Sequence, residues 1–219
     1  MTDLLELTGV VLSTMPVGEY DRRVVLLTRE RGRITAFAKG ARRPNSPLLA
    51  VSCPFVCGHF FLYEGRNSYT LRSAEVIAYF EQLQQDLENL CYASYFTELA
   101  DYYSKENLTA ADMLNLLYLA FKALEKNQIP KVLIRHIVEL RMMVLDGEYT
   151  ERPPVPTGES AAYTWHYVIT SPLNRLFGFT LAQPALEEFS KAVTALKRRV
   201  IEKDFHSLEI LKSLTPDEL

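Results

Sequence analysis

The chain changes its hydrophobic rhythm once, near residue 80. Up to about residue 76, apolar positions come in short alternating runs punctuated by turn formers, the period of half-buried strands. Residues 5–12 predict a first strand, followed by the turn-rich "TMPVGEYD". Residues 22–28 predict a second, "RERG" a tight connection, and residues 33–39 a third. "GARRPNSP", with one glycine and two prolines, predicts a loop. Residues 53–63 predict a long fourth strand, "EGRN" a hairpin turn, and residues 68–76 a fifth.

Beyond residue 80 the period is helical. Leu90, Ala93, Phe96, Ala100 and Tyr103 share one helix face, and Leu114, Leu117, Tyr118, Phe121 and Leu124 share another. Pro130 opens a third helix that ends near Gly147, with Leu133, Ile137, Leu140 and Val144 facing inward. "EYTERPPVPTGES" reads as loop, and a short apolar segment at residues 163–169 precedes a last long helix from about Pro184 to Lys203. The buried stripe of that helix is Leu186, Phe189, Val193, Leu196 and Val200. The expected fold class is therefore α+β and multidomain. Residues 1–80 form a five-stranded β-barrel, for which the OB-fold is the commonest small closed design, and residues 81–219 form an α-helical domain.

Composition changes this picture little. At 48% apolar the chain can build a core without a metal or disulfide. Its three cysteines, Cys53, Cys57 and Cys91, lack framework spacing and suit a reducing compartment. Acids stand where a signal peptide needs positive charge, and no apolar run approaches the roughly 18 residues of a membrane span. The expected location is cytoplasmic.

Charge changes the picture more. The net charge of −3 hides an asymmetry: residues 1–80 hold ten Lys/Arg against seven Asp/Glu, and the remainder fourteen against twenty. Much of the excess lies in "RERGRITAFAKGARRPNSP", where Arg29, Arg31, Arg33, Lys39, Arg42 and Arg43 face one acid, Glu30. On a strand, side chains alternate. Ile34, Ala36 and Ala38 would then fill the barrel, while Arg33, Thr35, Phe37 and Lys39 share the outer face. An OB-fold takes oligonucleotides on strands 2 and 3, flanked by its first and last inter-strand loops. Those elements offer Arg22 or Arg23, Arg33, Lys39 and, from the last hairpin, Arg66, with Arg42 and Arg43 just beyond. Cations along a groove hold phosphates, and an exposed ring such as Phe37 can stack a base for about 1–3 kcal/mol. The plainer reading is a strand edge whose cations deter aggregation, with Phe37 in the core. On these residues alone DNA and RNA rank equally.

The segment "GVVLSTMPVGEYDRRVVLLTRERGRITAFAKGARRPNS" resembles the opening of the RecO family of bacterial recombination mediators, and "FHSLEILKSL" is similar to that family's closing segment. The resemblance implies an N-terminal OB-fold, a helical C-terminal domain and no enzymatic activity or cofactor. It implies binding of single- and double-stranded DNA, annealing of complementary strands, and cooperation with RecR in loading RecA onto strands covered by single-strand-binding protein. The C-terminal tail of that protein becomes an expected partner, and the nucleoid an expected place of work. DNA contact would fall on Lys39, Arg42 and Arg43 of the shared "AKGARR". One departure stands out. Many relatives carry a four-cysteine zinc site after the third helix, where this chain has "LDGEYTERPPVPTGESAAYTWHY" and no cysteine. A structural zinc needs four Cys or His donors, so this loop must be held by packing.

Other constellations point to structure. In "CPFVCGH", Cys53, Cys57 and His59 would share one face of the fourth strand, with the cysteines about 13 Å apart, too far to share an ion. "HIVE" sets His136 and Glu139 three apart on a helix, the reverse of the Glu-x-x-His order of helical metal sites. Glu19 and Asp21 are expected to cap turn amides and pair with Arg22 or Arg23. Lys191, Lys197, Arg198, Arg199 and Lys203 read as a solvated helix face. No Walker loop, dinucleotide fingerprint, Gly-x-Ser-x-Gly or HExxH is present. Two rival functions stay open: an RNA-binding OB module, and a helical interaction scaffold with a purely structural barrel.

Overall fold

The structure, a computed structural model, describes residues 4–214. Five strands, β1 (Leu4–Val17), β2 (Asp21–Thr28), β3 (Gly32–Ala38), β4 (Cys57–Glu64) and β5 (Tyr69–Ala78), close into a barrel in the order β1-β2-β3-β5-β4. This is the OB-fold. β1 serves two neighbours: its first half pairs with β4 and its second with β2, and a bulge between Val11 and Ser13 turns it from one to the other. Closure comes from a short parallel contact of β3 with β5 at Ala36–Tyr69 and Phe37–Thr70.

The expected alternation on β3 holds: Ile34, Ala36 and Ala38 are buried in the barrel core. β3 ends at Ala38, so Lys39 stands just past the strand and not on its outer face, and three larger differences follow. β1 runs to Val17 through residues that composition marked as turn, because pairing with β2 at Thr14–Val24 and Met15–Arg23 supplies the partners that propensity alone does not. The loop after β3 contains a short helix, α1 (Leu48–Val51), whose Leu48 and Val51 join the barrel core. β4 begins at Cys57, not Cys53. Phe55 adopts a left-handed φ of 70°, which breaks the extended chain and removes Cys53 from the face of Cys57 and His59. Cys53 instead lies after α1, its thiol donating to the Leu49 carbonyl.

Contacts divide the chain into two compact units, residues 1–81 with 100–114, and residues 82–99 with 115–219. In the first, the segment after α2 (Leu87–Tyr103) adds backbone bonds to the β2–β3 turn. The Arg33 amide donates to the Lys105 carbonyl (3.2 Å), the Asn107 amide to Arg31 (2.9 Å) and the Ala110 amide to Arg29 (3.0 Å). Gly32 makes this approach possible. Its φ is 61°, and a Cβ there would lie 2.2 Å from the Lys105 carbonyl oxygen and 2.4 Å from that of Leu108.

The second unit contains most of α2 and α3 (Ala111–Lys126), then α4 (Lys131–Asp146), α5 (Glu159–Thr170), α6 (Gln183–Val200) and α7 (His206–Leu214). α5 and α7 occupy the segments that the sequence marked only as short apolar and closing stretches. α4 packs against both α5 and α6, and its residues 133–140 are all buried, including Arg135, His136 and Glu139. These polar groups bond mainly to one another, with Arg135 Nε 3.9 Å from Glu139 and outside hydrogen-bond reach. Glu139 accepts from Tyr95 (2.6 Å), Lys197 (2.5 Å) and His136 Nδ1 (2.9 Å), and Arg135 donates to His136 Nε2 (2.8 Å). Lys197 is thus only 15% exposed and leaves the solvated face expected for α6.

The cysteine-free loop after α4 is held without donors for a metal. Gly147 ends α4 at a φ of 84°, with its own amide on Val144 and that of Glu148 on Met143. The Trp165 indole donates to the Thr150 carbonyl (2.9 Å) and the Gly158 amide to Glu188 (2.6 Å). Among the described residues no group of three or more His, Cys, Asp or Glu is placed to hold a metal. The residues present do not fit the zinc that the resemblance associates with this region.

Candidate nucleic-acid interface

Two loops meet at the end of the barrel where β1, β2 and β3 finish or begin. Val17 pairs with Asp21, so residues 18–20 form the whole β1–β2 turn. The loop after β3 is tied to it. The Asp21 carboxylate accepts from the Gly40 amide (2.7 Å), the Arg42 amide donates to the Tyr20 carbonyl (2.8 Å), and the Arg42 guanidinium reaches the Gly18 carbonyl (3.3 Å). The Arg43 guanidinium lies over the Tyr20 ring at 5.0 Å. Asp21 therefore caps a turn as expected, but across loops and not toward Arg22 or Arg23.

Arg22 and Arg23, adjacent on β2, go opposite ways. Arg22 closes the C-terminal end of α1, donating to the Leu49 carbonyl (2.9 Å) and the Ser52 hydroxyl (3.0 Å). Arg23 stays exposed on the outer face, between Met15 on β1 and Phe37 on β3. Phe37 is half-buried, and Thr70 lies beyond it. The row Met15–Arg23–Phe37–Thr70 crosses four strands and alternates apolar with polar side chains.

The cations that the sequence marked as candidates for nucleic-acid contact, Arg22 aside, fall into two groups. Lys39, Arg42, Arg43, Arg23 and Arg66 are exposed, and none forms a salt bridge to a carboxylate among the described residues. Arg66 sits in the β4–β5 turn, three residues before Tyr69 begins the contact with β3. Arg31 and Arg33 are engaged. Arg31 binds Glu64 (2.8 Å) and the Tyr69 hydroxyl (3.1 Å), and its pKa is raised by that hydroxyl first and then by Glu64. Arg33 pairs with Asp101 (3.2 Å). Reading the sequence could not foresee this, since Asp101 is 68 residues away.

Tyr20 is the residue that sequence reasoning missed. It is 39% exposed in the turn, with one ring face under Arg43. The signal was available: an aromatic inside a turn, flanked by Gly18, Glu19 and Asp21, has no strand parity to bury it. Cys57 is buried, and that burial pushes its thiol up to about 12.

The profile described as "Recombination protein O N terminal" matches residues 1–80, the barrel just described, and "Recombination protein O C terminal" matches residues 84–151. The chain belongs to the RecO family. The DNA repair protein RecO of Acetivibrio thermocellus is 26% identical over 96% of this chain and 97% of that protein. That of Alkaliphilus metalliredigens is 34% identical over 75% of this chain and 67% of that protein. That of Bacillus subtilis is 34% identical over 76% of this chain and 65% of that protein. These three relatives are named for DNA repair.

No helix among the described residues is long and apolar enough to cross a membrane.

Proposed function

We propose that this RecO-family chain is a non-enzymatic DNA-binding protein of recombinational repair. It binds single- and double-stranded DNA through the barrel, anneals complementary strands and, with RecR, helps load RecA onto strands covered by single-strand-binding protein, whose acidic C-terminal tail it meets as a partner. Its place of work is the cytoplasm, at the nucleoid. The observation that carries the reading is the group of exposed cations without carboxylate partners at the joined loops, Lys39, Arg42 and Arg43, continued along the outer face by Arg23 and Phe37 and flanked by Arg66.

The mechanism is electrostatic. Cations hold the strand by its phosphates while the bases remain free to pair, and Tyr20 and Phe37 supply faces for transient stacking. Arg31 and Arg33 contribute field but start paired with Glu64 and Asp101. Neutralising about five phosphates of a single strand implies a salt slope near −3.5, or about a hundredfold affinity loss between 50 and 200 mM salt.

The test is fluorescence anisotropy of a labelled single-stranded DNA across a salt series, comparing the native chain with a Lys39→Glu, Arg42→Glu, Arg43→Glu variant of unchanged circular dichroism. Affinity and slope should both fall. Equal binding by the variant, or a flat salt dependence in the native chain, removes the barrel loop as the site. Competition with RNA of the same sequence separates DNA from RNA recognition, since a ribose reader gains from 2′-OH contacts.

A further inference from the structure

The helical unit contains a cavity of about 880 Å³ between α4 and α6. Its charge is unusual for this half of the chain, which is acidic overall. Arg198 and Lys191 stand exposed at the mouth on α6, and neither forms a salt bridge among the described residues. Two acids also line it, but both are engaged: Glu88 holds Lys131 (2.6 Å), and Glu187 accepts from Gln183 (3.1 Å).

Inside, two buried polar atoms lack hydrogen-bond partners: Oγ of Ser190 and Nε of Arg135, the latter 3.9 Å from Glu139 Oε1. Both residues line this cavity, and Arg135 is 4% exposed. The buried cluster behind it is charged in excess. Two cations, Arg135 and Lys197, surround one carboxylate, Glu139. The imidazole between them is neutral, because burial first and Arg135 second push the His136 pKa down to about 4. An uncompensated positive charge away from water is costly unless an anion approaches it. Pro130, Val132, Leu186 and Ala195 line the same cavity and offer an apolar wall.

We propose that this cavity is a binding site for a small phosphorylated molecule with a flat apolar part, of the size and class of a nucleoside monophosphate, its phosphate taken by Arg135, Ser190 and Arg198. A guanidinium is the donor best suited to planar multiple bonding with phosphate oxygens. The volume is within the range of ordinary ligand sites. The site is separate from the barrel loop and does not depend on it.

Isothermal titration calorimetry on the full chain at fixed ionic strength tests this with three probes: adenosine 5′-monophosphate, adenosine and inorganic phosphate. The nucleotide should bind saturably at one site, inorganic phosphate at least about tenfold more weakly, and adenosine not measurably. Arg198→Glu and Ser190→Ala should each cost at least about tenfold, the loss of a hydrogen bond to an ionised phosphate. The Lys39→Glu, Arg42→Glu, Arg43→Glu variant should bind the nucleotide normally, which separates this site from the proposed DNA site. Any of four results overturns the proposal: no saturable nucleotide binding, binding unaffected by both α6 variants, adenosine or inorganic phosphate binding as tightly as the nucleotide, or an acidic peptide occupying the cavity while the nucleotide does not.

Discussion

His136 makes a quantitative prediction about the acid limb of stability. Its ring is buried, donating from Nδ1 to Glu139 and accepting at Nε2 from Arg135, so it must stay neutral. Its pKa is about 4 in the folded chain against 6.5 when exposed. A base whose pKa is depressed by folding takes up its proton in the unfolded state first. Stability is therefore complete above pH 6.5 and is lost as pH falls toward 4. Between pH 7 and pH 4.5 the loss from this one group is about 2.5 kcal/mol. Glu139 acts in a different window. Burial works to raise its pKa, yet Lys197, Arg135 and His136 together hold it well below 4.5, so its contribution disappears only at lower pH. The perturbation is His136→Gln, which can keep an acceptor toward Arg135 and a donor toward Glu139 but cannot titrate. Urea unfolding followed through Trp165, the single tryptophan and fully buried in this unit, reports the relevant half of the chain. The native chain should lose about 2.5 kcal/mol more than the variant between pH 7 and 4.5. Parallel pH profiles would falsify the assignment of a buried neutral imidazole.

Further expectations follow from single contacts. Lys197→Met leaves Glu139 buried beside Arg135 without its closest cation, and should cost about 3–5 kcal/mol in urea unfolding at pH 7. Gly32→Ala forces a Cβ against two carbonyl oxygens at a left-handed φ. It should destabilise the barrel unit by more than about 2 kcal/mol and speed amide exchange at residues 105–110; unchanged exchange would mean the segment is not held there. Asp101→Asn frees Arg33, and should steepen the salt slope of single-stranded DNA binding by about 0.7, one phosphate's worth, whereas an unaltered slope places Arg33 off the DNA path.

Where local rules dominate, the sequence alone was sufficient. Alternation on β3 sorted Ile34, Ala36 and Ala38 to the interior because a pleated strand leaves no other choice. Most of the apolar stripes of α3 and α6, and the Pro130 and Gly147 boundaries of α4, follow from helical period and backbone dihedral preference, whereas α2 also buries Cys91, Tyr92, Tyr95 and Leu99 off the predicted face, and Leu90, Tyr118 and Val200 are only half-buried. The run of cations around residues 29–43 was equally legible, as was its family likeness.

Tertiary contact decided the rest. β1 continues to Val17 because β2 is there to pair with it, and β4 starts late because Phe55 turns left-handed against β1, its amide on the Val11 carbonyl. Lys197 leaves solvent for Glu139, although its position four residues after Val193 hinted at the buried side of α6. The division of the cations is the sharpest case. Nothing local separates Arg33 from Arg43, and alternation puts Arg22 and Arg23 on opposite faces without saying which of them meets α1. Asp101, the end of α1 and the Tyr20 ring separate them, all distant in sequence or set by strand parity. A charge is recorded in the sequence, but whether it is free depends on its neighbours in space, and those are chosen only when the chain closes on itself.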